Sequence, residues 1–175
     1  LDAEGSEIAS QIDCGAWEIV PRASVPRGTT VMRSGWTYLK KRDKITGKVL
    51  RHKARFHVCG YSQVKGLHFD RTYSPVAKVD SVRMVMSMAA GKRWKLRLMD
   101  VSTAFLQSEL AFTNLYAQMP PGYKLVDEDG KPYVLHLKRP VYGAKQASRR
   151  WYIRVHEWMM KHGFEQNIAD PCVYS

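Results

Sequence analysis

The sequence has few cysteines and no long apolar run, and both shortages narrow the class of protein. Its three cysteines, Cys14, Cys59 and Cys172, are odd in number and far apart, and no Cys-x-x-Cys pair occurs. We therefore expect neither a disulfide framework nor a zinc site, and reduced thiols favour the cytoplasm or the nucleus. No apolar stretch approaches the roughly 18 residues that span a bilayer, so we expect no membrane partner.

Acidic residues are also scarce relative to basic ones. The chain contains 28 Lys and Arg against 16 Asp and Glu, a formal net charge of +12. This excess indicates a polyanionic partner, most often nucleic acid, although a merely basic, solvated surface would show the same balance. Most of the excess lies in two segments, residues 36–61 with a net charge of +7 and residues 138–161 with a net charge of +6.

Alternation and spacing of apolar residues predict a mixed fold. Strands are predicted at residues 17–20, 36–42, 49–58 and 94–101. Helices are predicted at residues 81–90, 102–110 and 147–162. The second and third strands form a hairpin with its turn at Thr46-Gly47, and another hairpin surrounds Asp129-Gly130. Asp80 or Ser81 would cap the first helix. Residues 1–16 read as a loose lead-in. Strands in hairpins, without βαβ units, predict the α+β class.

Seven segments in this order resemble the reverse transcriptase of copia-type LTR retrotransposons. They are WEIVPR, GWTYLKK, GKVLRHKARFHVCGYSQVKGLHFDRTYSPVAKVDSVR, LMDVSTAFL, LYAQMPPGY, VYGAKQASRRWY and HGFEQNIADPCVY. The resemblance extends from about Trp17 to Tyr174. It implies part of a right-hand polymerase fold, with a fingers β-hairpin and an incomplete palm of antiparallel sheet and packed helices. Residues 17–92 would be the fingers region, and residues 93–175 a partial palm with a returning fingers segment.

The resemblance implies a role for Asp100, the one carboxylate in the apolar run LMDVSTAFL. From this run alone, Asp100 would be interpreted as the cap of the following helix. With the flanking motifs in register, it matches the family's first palm aspartate, which is catalytic and binds Mg2+ or Mn2+. The carbonyl of Val101 would be a further metal ligand beside the nucleotide.

The same resemblance implies further nucleotide contacts. Phe105 would pack beneath the sugar of the incoming deoxynucleotide, although a core phenylalanine is the commoner fate of such a residue. The other nucleotide-binding candidates are Lys40, Lys53 and Arg55 on the hairpin, and Lys145 and Gln146 in the segment YGAKQAS. Arg55 is the first choice for the triphosphate, because a guanidinium can bind phosphate through two hydrogen bonds. The template or primer would lie along Gly143, Arg149 and Arg150, although any basic helix face would present similar arginines.

The resemblance also shows what these 175 residues lack. The family's two other palm carboxylates lie in a Tyr-x-Asp-Asp turn, and the sequence contains no Asp-Asp pair. We therefore expect a piece of a longer polyprotein, truncated before that turn, lacking thumb and RNase H, and inactive in RNA-directed DNA synthesis by itself. The alternatives are a basic nucleic-acid-binding relic without catalysis, or a remnant without function. Expected partners are an RNA or DNA template–primer and deoxynucleotides, within a cytoplasmic virus-like particle or the nucleus.

Overall fold

The computed structural model describes residues 2–175, which form helices and strands in mixed order. The elements are α1 (Ala3–Asp13), β1 (Trp17–Pro21), β2 (Val31–Met32), β3 (Ser34–Arg42), β4 (Val49–Val58), α2 (Val79–Gly91), β5 (Tyr116–Gln118), β6 (Tyr133–Leu137) and α3 (Ala147–Lys161). The mixed α and β content is as predicted. No helix within residues 2–175 is both long enough and apolar enough to cross a membrane.

Two sheets organise the strands. One sheet has the order β1-β6-β5-β2, with β2 parallel to β5 and the other pairs antiparallel. The second sheet is the β3–β4 hairpin. Its base is buried, since Phe56 and Val58 join Met32, Leu115 and Leu135 in the main core. The tip of the hairpin is exposed to solvent, so the hairpin projects from the core as a charged arm.

Three predictions from local pattern are confirmed. The first strand, the hairpin and the third helix lie within a few residues of their predicted bounds. The hairpin turn contains Gly47 at a φ of +69°, a conformation that glycine adopts without steric cost. Helix α3 ends before Gly163, whose φ is +82°. The second hairpin is reduced to a single bridge between Val126 and Pro132, because the following residues pair with β1 and β5 instead.

The prediction of a loose lead-in over residues 1–16 is wrong, because most of this segment forms helix α1. The side chain of Gln11 is buried and accepts a hydrogen bond of 2.9 Å from the indole nitrogen of Trp17. The hydroxyl of Tyr38 donates to Glu4, and this bond raises the pKa of Tyr38 to about 12. The helix is therefore held partly by polar contacts that the composition of the segment does not reveal.

The predicted strand at residues 94–101 is also wrong. Leu98 and Met99 are 101% and 87% exposed, and no residue of the segment pairs with a strand within residues 2–175. Backbone donors and acceptors need a partner before an extended segment becomes a strand. Alternation of Trp94, Leu96 and Leu98 with basic residues is therefore not sufficient to form one here.

Helix α2 forms where it is predicted, but its N-terminus is held from a distance. Lys78 occupies the N-cap position, so the prediction that Asp80 or Ser81 caps the helix is wrong. The buried carboxylate of Asp170 instead accepts hydrogen bonds of 2.9 Å from the backbone N–H groups of Lys78 and Cys172. The nearby Ser81 side chain is the largest cause that lowers the pKa of Asp170, and the backbone N–H groups of Cys172 and Lys78 add to it. A negative charge at this end of a helix is favourable.

We expect this carboxylate to make stability depend on acid pH. Because the folded pKa of Asp170 lies below its ordinary value of 3.8, its contribution is present above about pH 4 and is lost as pH falls through the folded pKa. Asp170→Asn should lower the melting temperature at neutral pH and flatten its decline in acid. Asp80→Asn should change little, since Asp80 is exposed. Thermal unfolding from neutral pH to about pH 2 tests this, and equal melting temperatures for Asp170→Asn and the parent at neutral pH would contradict it.

Candidate nucleotide and nucleic-acid interface

The register of the hairpin places four basic side chains on one face. Lys41 lies opposite Arg51, and Leu39 lies opposite Lys53. Directly opposed residues share a face of a sheet, and so do alternate residues of one strand. Lys41, Arg51, Lys53 and Arg55 therefore form a single cationic face.

The charges of this cationic face are largely uncompensated. Burial is the main cause that lowers the pKa of Lys53, and the neighbouring charges of Arg55, Lys41 and Arg51 add to it. Glu7 of α1 acts in the opposite direction, but it lies beyond ion-pair distance. Within residues 2–175, none of the four cations forms an ion pair with a carboxylate. A bound polyanion would relieve this repulsion.

The structure does not bring Lys40 together with Lys53 and Arg55. Lys40 lies opposite His52, which stands between Arg51 and Lys53 on β4 and therefore points to the other face of the hairpin. Its side chain therefore projects from the other face, on which Ala54 and Phe56 are buried.

Arg55 and Phe105 meet through an aromatic residue that the sequence analysis did not single out. The guanidinium carbon of Arg55 lies 4.8 Å from the ring centroid of Tyr142. The ring of Phe105 packs edge-to-face on the same tyrosine, with 5.2 Å between centroids and an interplanar angle of 61°. Tyr142 lies directly before Gly143 in the segment VYGAKQ, and this position is the signal that could have identified it.

Phe105 lies in a single 3-10 turn, Ala104–Gln107, rather than in the helix predicted over residues 102–110. The preceding residue, Thr103, has a left-handed φ of +50° and makes no capping bond. The ring is half-buried and packs against the main core. Phe105 is thus partly the core phenylalanine of the commoner interpretation, and it also lies beside the cationic face through Tyr142.

Gly143 allows the closest backbone approach in this region. The N–H of Val58 donates to the carbonyl of Tyr142 at 2.9 Å, which draws the end of β4 onto the segment. Gly143 has a φ of +84°, and a Cβ atom there would collide with the carbonyl oxygen of Val58. Only glycine fits this position.

Lys145 and Gln146 are occupied by contacts within the fold. The ammonium of Lys145 donates to the carbonyl of Gln63 at 3.1 Å and lies 5.0 Å from the ring centroid of Phe69. Gln146 is 3% exposed; its amide accepts from the Gln63 side chain at 2.9 Å and donates to the His68 carbonyl at 3.3 Å. Both residues therefore attach the segment that follows β4 to the start of α3.

Arg149 and Arg150 each donate to a loop carbonyl from the first turns of α3. Arg149 reaches the carbonyl of Tyr73 at 3.0 Å, and Arg150 reaches the carbonyl of Glu109 at 2.6 Å. A guanidinium has five N–H donors, so each side chain keeps donors for a further acceptor.

Asp100 and Val101 lie apart from these contacts, exposed in the segment that follows α2. Asp100 makes no hydrogen bond or ion pair within residues 2–175. The same residues contain no group of three or more His, Cys, Asp or Glu side chains that could hold a metal ion. A single exposed carboxylate does not fit a complete metal centre, because Mg2+ in proteins also needs further carboxylate, phosphate or water ligands.

Comparison with known proteins agrees with the resemblance drawn from the motifs. The family model described as reverse transcriptase (RNA-dependent DNA polymerase) matches residues 15–175. The chain is 38% identical over 172 residues to the retrovirus-related Pol polyprotein from transposon RE2 of Arabidopsis thaliana. It is 33% identical over 174 residues to that from transposon TNT 1-94 of Nicotiana tabacum.

These matches cover 98% and 99% of this chain, but only 11% and 13% of the relatives, so the chain spans about a tenth of their length. No solved structure matches the chain significantly. The family match across residues 15–175 and the identities over nearly the whole chain show that the chain belongs to the reverse transcriptase (RNA-dependent DNA polymerase) family.

Proposed function

We propose that this chain contributes the nucleotide-binding and template-binding part of a retrotransposon reverse transcriptase, which performs RNA-directed DNA synthesis. The observation that carries the proposal is the cationic face, Lys41, Arg51, Lys53 and Arg55, beside the Tyr142–Phe105 pair. Phosphoryl transfer depends mainly on positioning and on electrostatic stabilisation of phosphate oxygens. The cationic face, which has no carboxylate partner among the described residues, supplies that charge.

Within this proposal, Arg55 and Lys53 bind phosphate groups: those of the incoming triphosphate in a complete polymerase, and those of the nucleic acid when no nucleotide is present. Phe105 supports the sugar of the deoxynucleotide. Residues 17–92 then belong to the fingers and residues 93–175 to the palm. Family membership implies the use of a divalent metal in general. Asp100, with the Val101 carbonyl, would contribute one carboxylate to that site in a complete polymerase.

The isolated 175-residue polypeptide is proposed to bind nucleic acid without extending a primer. It contains Asp100 but no Asp-Asp pair, so one of three expected palm carboxylates is present. Binding without catalysis is also what a nucleic-acid-binding relic would show. The uncompensated charges of the cationic face favour binding in either case.

The double substitution Lys53→Gln, Arg55→Gln should weaken binding to a primer–template about ten-fold or more. It should also make the dependence of log affinity on log salt shallower by about 1–2 units, because about two phosphate contacts are lost. The matched control is Lys44→Gln, Lys48→Gln, which removes the same charge from the exposed hairpin turn. Fluorescence anisotropy across a salt series measures both quantities.

The proposal requires the two double variants to differ. If both lower the affinity and the salt slope equally, binding follows net charge alone and the cationic face has no special role. If the control binds like the parent and the face variant does not, the cationic face is the binding surface.

A further inference from the structure

A cavity of about 290 Å³ lies beside the start of α3, apart from the cationic face. Its floor is one stripe of the helix, formed by Gln146, Arg149, Arg150 and Ile153. These positions are spaced by three, four and seven residues, so they share one side of a helix. The size is close to the lower end of the roughly 300–1,000 Å³ found for small-molecule sites. We name it the α3 cavity.

Two loops that carry aromatic rings also line the cavity. Phe69 and Arg71 belong to the loop before α2, and Phe112 belongs to the loop before β5. Both phenylalanine side chains are half-buried. The bonds from Arg149 to Tyr73 and from Arg150 to the Glu109 carbonyl tie these loops to the helix, so the cavity is a built part of the fold.

The charge of the α3 cavity is positive. Three guanidinium groups line it, against the single carboxylate of Asp70. Asp70 lies 3.8 Å from Arg71, but both side chains are largely exposed, so this ion pair is weak and the lining keeps a net charge of +2. Lys145 adds a further charge behind the ring of Phe69.

Aromatic rings together with guanidinium groups are the chemistry that recognises an unpaired nucleotide. A base can stack on a phenylalanine whatever its identity, and arginine binds the adjoining phosphate. Resting on the function proposed above, we propose that the α3 cavity holds one unpaired nucleotide of a single strand, with its base on Phe112 and its phosphate at Arg71. A neighbouring cavity that shares Arg150 is a poorer candidate, because Glu109 and Glu157 oppose its arginines and it contains no aromatic ring.

Arg71→Gln tests the phosphate contact with a closely matched control. Arg71 and Arg83 have exposed side chains, at 75% and 76%, and each lies near an aspartate. Arg71→Gln should weaken binding of an oligothymidylate of about twelve nucleotides roughly three- to ten-fold, and flatten its salt slope by about 0.7. Arg83→Gln should leave both quantities unchanged within about two-fold. Exposed positions such as these keep the variants folded.

Phe112→Leu tests the stacking contact, with Phe164→Leu outside the cavity as its control. Loss of the flat ring should weaken binding of the single strand about five-fold or more. Binding of a blunt hairpin duplex should not change, because its bases are already stacked. Competition with thymidine monophosphate distinguishes the sources: displacement of the oligomer by the free nucleotide at similar concentration would assign the cavity to free nucleotide instead of a strand.

The outcomes separate this inference from the proposed function. If Arg71→Gln and Phe112→Leu bind the single strand like the parent while the Lys53, Arg55 double variant does not, the α3 cavity is not a nucleotide site and the cationic face stands. If neither set changes binding, both proposals fail. Loss of single-strand binding in the cavity variants, with both controls unchanged, supports the inference.

Discussion

The substitution Gly143→Ala is expected to remove a large share of the stability of this protein. Gly143 has a φ of +84°, where a side chain costs about 1–2 kcal/mol. The new Cβ would also collide with the carbonyl oxygen of Val58, and forced overpacking costs about 1–3 kcal/mol or more. That oxygen is a backbone atom at the end of β4, so it cannot move alone. Relieving the collision would require moving the base of the hairpin out of the core. The sum is a large share of the roughly 5–15 kcal/mol that stabilises a domain.

Two further glycines separate the cost of the positive φ from the cost of the collision. Gly130 has a φ of +74° but no atom of the described residues within 4 Å of its added Cβ, so Gly130→Ala should lose only the conformational cost of about 1–2 kcal/mol. Gly60→Ala has the collision, with the carbonyl of Gly143, without a left-handed φ. Urea unfolding of the three variants should rank Gly143→Ala as the most damaging. A free energy of unfolding for Gly143→Ala equal to that of Gly130→Ala would show that the collision is relieved without cost.

Replacing Asp100 with asparagine in a complete polymerase that contains these residues should reduce primer extension about a thousand-fold or more. A carboxylate that holds a divalent cation contributes several kcal/mol of charge stabilisation, and each 1.36 kcal/mol is about ten-fold in rate. Asparagine keeps the shape and loses the charge. In the same assay, the isolated 175-residue polypeptide should extend no primer, with Mg2+ or with Mn2+.

Asp129→Asn is the control for this substitution, because Asp129 is an exposed turn residue whose carboxylate, within residues 2–175, pairs only with Lys131, at 3.2 Å. It should leave extension within about two-fold of the parent. Normal extension by Asp100→Asn would remove Asp100 from the catalytic machinery. Template-directed extension by the isolated polypeptide would show that these residues suffice, and the inactivity we propose would be wrong.

Local sequence pattern was sufficient to predict those elements whose structure depends on residues close by in the chain. The hairpin follows from two alternating segments around a glycine turn, and α3 follows from apolar residues at helical spacing. That Lys53 and Arg55 share a face is a property of period two and needs no tertiary information. The motifs in register were also sufficient to identify the family.

The same reasoning failed where a partner lay far away in the chain. Residues 94–101 alternate like a strand, yet the described residues give them no partner. Residues 3–13 look irregular in the sequence and form α1, which is held in part by a hydrogen bond from the distant Tyr38 to Glu4. No local signal shows that Asp170 holds the start of α2.

The charge, the hairpin, the third helix and the family follow from the order of residues along the chain, because periodicity and motif order are local properties. Packing between distant segments brings Arg55 and Phe105 together on Tyr142, and the strand register turns Lys40 away from Lys53. The same packing buries Gln146 in hydrogen bonds with Gln63 and His68. It also places Phe69 and Phe112 in one cavity with the arginines of α3. Those contacts join residues tens of positions apart, and their geometry depends on strand register and on the close backbone approach that Gly143 permits.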